Sequence, residues 1–341
     1  MHRLSFVRPS GLCLVACCVV LGACGGVGGG GGAQSRAKPA PALRLAPATV
    51  RLGGAPVAIA LGARNAWVAD NTAGTVRRLD LRSGRPVGTG ARVGRGPVAI
   101  AVGGGGVWVA TGEGTVRRLD AASGRVVGPA VAVGDPNGIA ATADAVWVTS
   151  RLGGTVTRID PRTTRVVGRP IRVGRAPADV AVGFGAVWVA NADDGTVSRL
   201  DARTGKPAGA AIKVGIAQVF ALTVGRDAVW VATNDLRKPG QVAVRRIDPR
   251  SQAVAGEAVT VPAGVPVDLA FGFGRVWATV VGSLLPGDRR APAVRAIDTA
   301  AVRAGAPTRV GAEPAGVAVG AGAVWTANSG DGSVTRIAVA R

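Results

Sequence analysis

The chain contains no tyrosine, one methionine and a single histidine. That histidine is His2, so chemistry that needs an imidazole as base, ligand or partner of a nucleophile has no residue to use in the rest of the chain. Cysteine is confined in the same way. Cys13, Cys17, Cys18 and Cys24 are all four, which excludes a disulfide framework or a cysteine-held metal from the body of the protein. Acids are few, at 20 Asp+Glu against 41 Lys+Arg, and the formal charge is +21. No apolar run reaches the roughly 20 residues of a membrane-spanning helix. At 48% hydrophobic and 18% charged the composition is not that of a disordered chain. A length of 341 residues suits two average domains or one large all-β domain.

What is present begins with a targeting segment. Arg3 and Arg8 precede an apolar run from Gly11 to Ala23, the order of a signal peptide over residues 1–23. The run ends Leu21-Gly22-Ala23-Cys24, which resembles a bacterial lipobox and implies lipidation of Cys24 as the first mature residue. The sequence therefore predicts a bacterial cell-membrane protein, lipid-anchored on the extracytoplasmic side. Residues 24–47, glycine-rich and then proline-bearing, read as a flexible tether. About 22 such residues span roughly 26 Å as a coil.

The body, residues 48–341, is a repeat. Trp67, Trp108, Trp147, Trp188, Trp230, Trp277 and Trp325 are all of the tryptophans, spaced 41, 39, 41, 42, 47 and 48 residues apart. Most sit in one phrase, as in Val107-Trp108-Val109-Ala110 and Val187-Trp188-Val189-Ala190. A period of this length with strand-type content predicts an all-β propeller, one four-stranded sheet per blade. In blade 2 the four strands, A to D, read Val98–Val102, Gly106–Ala110, Thr115–Leu119 and Val126–Val133. Seven A-B-C sets are present, but only six D strands follow them. The missing one stands at the start, at residues 49–53. The N-terminal strand is thus expected to complete the last blade of a seven-bladed ring and protect its open edge. The tryptophans are expected between adjacent blades as core.

Blade 4, residues 174–206, carries Val-Gly at 173–174, then Val-Ala-Val-Gly-Phe-Gly-Ala-Val-Trp-Val-Ala-Asn and Gly-Thr-Val-Ser-Arg-Leu-Asp-Ala-Arg-Thr-Gly-Lys. These phrases resemble the YVTN and virginiamycin B lyase-like β-propellers, a resemblance that covers about residues 49–341. It implies the fold. It also raises a streptogramin carbon–oxygen lyase as one alternative, and lyases of that kind are understood to use a histidine base, a nearby glutamate and magnesium. No histidine follows His2 here, and the only glutamates are Glu113, Glu257 and Glu313. The expected role is accordingly a non-catalytic binding or scaffold module, with the lyase as the disfavoured enzyme reading.

Two candidate sites follow. The B–C and D–A loops share one end of a propeller, the top. Strand B ends there at Asp70, Thr111, Ser150, Asn191, Thr233, Val280 and Asn328. These residues suit either turn chemistry or a polar rim for a small ligand or protein, with Asn234 added in blade 5. In strand A one column reads Ala58, Ala99, Gly138, Asp179, Ala221, Asp268 and Gly316. A carboxylate beside the central channel needs a partner, so Asp179 and Asp268 are candidates for a bound divalent cation, magnesium or calcium, for an arginine partner, or for capping.

The charge is the last feature. Without Arg3 and Arg8 it is +19, and all but four basic residues are arginine. Arginines 78, 118, 158, 199 and 246 on strand C each precede an aspartate by two residues, which suggests Arg–Asp pairs on one strand face. Arg82, Arg85, Arg125, Arg162, Arg165, Arg203, Lys206 and Arg250 fall in or near C–D turns, predicting a basic bottom face suited to anionic lipid or an anionic envelope polymer. A polyanion or nucleic-acid partner is the remaining alternative. Export and the scarcity of stacking aromatics argue against nucleic acid.

Overall fold

The computed structural model describes residues 43–340 except 216, 236–241, 262–264 and 282–290. The signal segment, Cys24 and most of the tether lie outside the described residues. Among the described residues every regular element is a strand. The strands form seven antiparallel sheets, each ordered A-B-C-D in sequence except the last. In blade 2 these are Pro97–Gly103, Gly106–Thr111, Thr115–Asp120 and Val126–Ala132.

Strand B is the most buried of the four. Every residue of Gly106–Thr111, Ala186–Asn191 and Ala323–Asn328 is enclosed. A strand covered on both faces loses the usual alternation and becomes continuously apolar, which is why Val, Ala and Trp fill it. Strand D, outermost, is mostly exposed and is the least regular. In blade 3 it is split into Arg165–Val166 and Ile171–Arg172, and in blade 4 it shrinks to Ile212–Lys213.

Seven apolar clusters occupy the seven blade joints. Trp67 of blade 1 packs with Ile100, Val107, Val109 and Leu119 of blade 2. Trp108 meets Ile139, Val146, Val148 and Ile159 of blade 3. The pattern repeats to Trp325 of blade 7, which meets Ile59, Ala66, Val68 and Leu79 of blade 1 and so closes the ring. Each tryptophan is at most 3% exposed. Burying an indole removes ~150–250 Å² from water, worth about 4–6 kcal/mol as an upper bound. One indole per joint compensates for a core otherwise built from small residues.

The ring is closed by the N-terminal strand, as the repeat count required. This strand, Arg44–Arg51, pairs with Ser333–Ala340 in full register, Arg44 opposite Ala340 and Arg51 opposite Ser333. It starts earlier than residue 49. Residues 44–47, which the proline content assigns to the tether, are strand. Pro47 is tolerated there because the strand is the outer edge of its sheet, where a missing N–H leaves no partner unmet.

The expected Arg–Asp pairs on strand C are replaced by another arrangement. Arg78, Arg118, Arg158, Arg199 and Arg336 lie over the indoles of Trp67, Trp108, Trp147, Trp188 and Trp325, 5.4–5.7 Å from the ring centroids. Trp and Arg are cross-strand partners, as Trp188 and Arg199 show, so the register brings each guanidinium within reach of its indole. Arg78 and Arg158 then donate to Ala122 O (3.1 Å) and Arg203 O (2.8 Å) in the C–D turn of the next blade. The aspartates serve their own turns instead. Asp80 Oδ1 accepts from Ser83 N and Ser83 Oγ, both at 2.7 Å, and Asp120 does the same with Ser123. These bonds hold both carboxyls below the usual carboxylate range.

Candidate functional site

Strand A begins with a proline in five of the seven blades, and there its pairing with strand B slips just after it. In blade 4 Pro177 faces Asn191, but Asp179 faces Ala190. A slip of this kind re-aims the next side chain. It turns the column holding Asp179 and Asp268 toward the neighbouring A strand. Asp179 Oδ2 accepts from Leu222 N of blade 5 (2.9 Å), and Oδ1 accepts from Val180 N (2.8 Å). Asp268 repeats this with Val317 N of blade 7 and Leu269 N, both at 2.8 Å. Where the column holds glycine the blades approach too closely for a side chain. A Cβ on Gly138 would lie 2.8 Å from Asp179 Cα, and one on Gly316 would lie 3.0 Å from Ala58 Cα.

Asp179 and Asp268 are half-buried in the inner ring of A strands. Burial raises the Asp179 carboxyl to about 6 against two amide bonds that lower it. Burial raises Asp268 to about 7, and the charge of Asp179 adds to the shift. The two carboxyls therefore sense one another across blade 5. Neither is ion-paired among the described residues: of the roles the sequence left open, the amide-capping one is what the geometry displays. As a divalent-metal site the set fits poorly. Calcium takes about 6–8 oxygen ligands, whereas here all four carboxylate oxygens already accept an amide, and no group of three His, Cys, Asp or Glu converges among the described residues.

The strand-B ends at the top face turn inward. Asp70, 2% exposed, accepts from Ala55 N (3.0 Å), Thr72 Oγ1 (3.1 Å) and Ala73 N (3.1 Å). Asn191, fully buried, accepts from Gly174 N (3.2 Å) and donates to Thr196 Oγ1 (3.0 Å) and Ser198 Oγ (2.9 Å). Asn328 donates in the same way to Ser333 Oγ and Thr335 Oγ1, both at 3.0 Å. Asp70 and Asn191 thus reach back to the D–A loops, Asn328 ties strand B to strand C, and all three turn into the blade instead of opening onto a rim. Asn234 is half-buried and pairs with Val242 at the base of its loop, whose apex lies outside the described residues. The exposed top-face acids are engaged too. Glu113 meets Arg95 at 3.2 Å, and Asp194 meets Arg175 at 2.6 Å and also accepts Arg175 N at 2.6 Å. Glu257 lies on the outer strand of blade 5, and Glu313 lies in the D–A loop just before strand A of blade 7.

At the bottom face Arg82, Arg85, Arg125, Arg162, Arg165, Arg203, Lys206 and Arg250 are all exposed. That face carries a cleft of about 530 Å³ at the joint of blades 4 and 5. Composition alone did not point to it. The signal, legible only with the register in hand, is the Arg-Asp pair 226–227 in a turn that most blades build from glycine.

No known sequence family matches the chain, and no curated protein does. Solved structures do. A streptogramin B lyase shares 18% identity at a TM-score of 0.70, over 87% of this chain and 98% of its own. Virginiamycin B lyase from Staphylococcus aureus gives 15%, 0.67, 86% and 99%. Hydrazine synthase from Kuenenia stuttgartiensis gives 17%, 0.68, 86% and 97%. At these identities the likeness shows the fold, the seven-bladed propeller of the virginiamycin B lyase type, shared by proteins of different activity.

Proposed function

We propose that the protein is a lipid-tethered, extracytoplasmic propeller that displays a binding face, with no catalysis of its own. The observation that carries this is the direction of the N-terminal strand. Arg51 stands opposite Ser333, which follows a B–C turn and so marks the top; Arg44 stands opposite Ala340, at the other end. The chain preceding Arg44 therefore leaves from the bottom, where the exposed basic turns lie. A lipid on Cys24 would seat that face on anionic lipid or envelope polymer and leave the top face and channel to a small ligand or a protein. At the channel Asp179 and Asp268 would favour a cationic group, which would draw both carboxyls into their ionised form.

A streptogramin lyase is the other reading that the fold suggests. One solved relative, 14% identical, is a catalytically inactive histidine-to-alanine variant of virginiamycin B lyase with quinupristin. This chain offers no histidine beyond His2. Turnover of a streptogramin lactone by the purified protein would overturn the non-catalytic reading.

Fractionation tests the anchor. Cys24→Ala should move the protein from membrane to soluble fractions, and retention would refute a lipid anchor. A thermal-shift screen with small organic cations at pH 8 tests the channel. A shift that is lost in the Asp179→Asn/Asp268→Asn double variant supports the site, and no shift from any cation refutes it.

A further inference from the structure

Blade 5 breaks the pattern that the other arginine-bearing blades keep. Arg246 stands opposite Trp230 in the register, yet no stack forms between them among the described residues. The guanidinium turns instead to Asp227 in the A–B turn, a single contact at 3.4 Å. The buried indole N–H of Trp230 has no acceptor, a state it shares with Trp325, whose arginine stack is intact, whereas Trp108, Trp188 and Trp277 donate to a carbonyl of their own A–B turn at 3.0–3.1 Å. The displaced Arg246 helps to line the bottom-face cleft with Arg226, Arg250, Asp227, Asp248 and Phe184.

The lining has a definite chemistry. Three guanidiniums face two carboxylates. Asp248 is committed to its own turn, accepting Arg250 N at 2.7 Å and Ser251 N at 3.0 Å. Asp227 is 70% exposed and holds Arg246 by one long contact, so an incoming anion can replace it. Phe184 is 41% exposed, in a chain with five phenylalanines and no tyrosine. It sits at a φ of 55°, a backbone region that bulky residues avoid and that Gly104 fills at the same turn position in blade 2. Its counterpart in blade 6, Phe273, is packed against the apolar cluster around Trp277. Phe184 thus presents a flat apolar face beside guanidinium forks, which match phosphate oxygens in pairs.

We propose that this cleft binds a phosphate monoester carried on a ring, with the phosphate on Arg226, Arg246 and Arg250 and the ring against Phe184. The site lies on the opposite face from the channel aspartates and does not depend on them. Phenyl phosphate and glucose 1-phosphate represent the two sources of that chemistry, an aryl and a glycosyl phosphate. Calorimetric titration of the purified protein in 0.15 M salt should show one site per chain for at least one of them. Its affinity should exceed that for inorganic phosphate by about tenfold or more, and phenol and glucose should not bind. Phe184→Ala should abolish the preference over inorganic phosphate. Arg226→Ala and Arg246→Ala should each weaken the ester about tenfold or more, and Arg125→Ala, on blade 2, should not. Arg226 is exposed, so its variant keeps the test open if Arg246→Ala fails to fold. Equal weakening by Arg125→Ala, equal affinity for ester and inorganic phosphate, or no binding of either ester would overturn the proposal.

Discussion

At the scale of single residues the tryptophan column does most to hold the molecule together. Trp188 is fully buried between blades 4 and 5. Trp188→Ala should cost about 3–5 kcal/mol in denaturant unfolding, the range for a large aromatic removed from a packed core. The arginines above the indoles divide into two groups. Arg158 stacks on Trp147 and donates to the next blade, so Arg158→Ala should destabilise by about 1–2 kcal/mol. Arg246 does neither, and its removal should change stability by less than about 0.5 kcal/mol, as for an ordinary surface substitution. Equal losses at the two sites would show that the stack adds nothing. The channel carboxyls give a pH signature. Their folded values, about 6 and about 7, are raised above the ordinary 3.8, so their contribution to stability is complete below about pH 4 and lost as pH rises to 7. The turn aspartates, held low, act in the opposite sense and only below their ordinary value. Melting temperature should therefore fall between about pH 4 and pH 7, with a shallower slope in Asp268→Asn. An identical slope in that variant would exclude Asp268 as the source.

At the scale of elements much was legible in the sequence because repetition exposes it. Seven tryptophans numbered the blades, and the missing D strand announced how the ring closes. The true start of the closing strand at Arg44 was hidden because Pro41 and Pro47 look like linker, and only the edge position makes Pro47 compatible with a strand. The inward turn of Asp70, Asn191 and Asn328 was one of two readings that sequence leaves open, since Asn and Asp serve equally in turns and in ligand contacts. The turning of Arg246 away from Trp230 was not legible at all. It depends on which of two partners a long side chain reaches, and both stand within its span. The closing strand is directly testable. Deleting residues 1–42 should leave the melting temperature unchanged. Deleting residues 1–52 should lower it sharply and promote association through the bared edge of Ser333–Ala340. Equal stability of the two truncations would show that the ring does not need its clasp.

At the scale of the whole molecule two populations of arginine stand out. One set is built into the blade joints as covers for indoles and reaches carbonyls of the next blade. The other crowns the bottom turns and remains exposed. Of these two, only the second is available to a polyanion. Binding to vesicles containing anionic lipid should therefore fall steeply with salt, and charge reversal at Arg82, Arg85 and Arg125 together should weaken it without lowering the melting temperature. Salt-independent binding would rule out an electrostatic surface. The clasp strand has one more consequence, which is mechanical. Any pull on the chain ahead of Arg44 is received first by the eight residues paired with Ser333–Ala340. A load along the strand shears all of those pairs together, while a load across it peels them one at a time from Ala340. The same strand that makes the ring continuous thus sets how much tension the molecule bears before it opens, and in which direction.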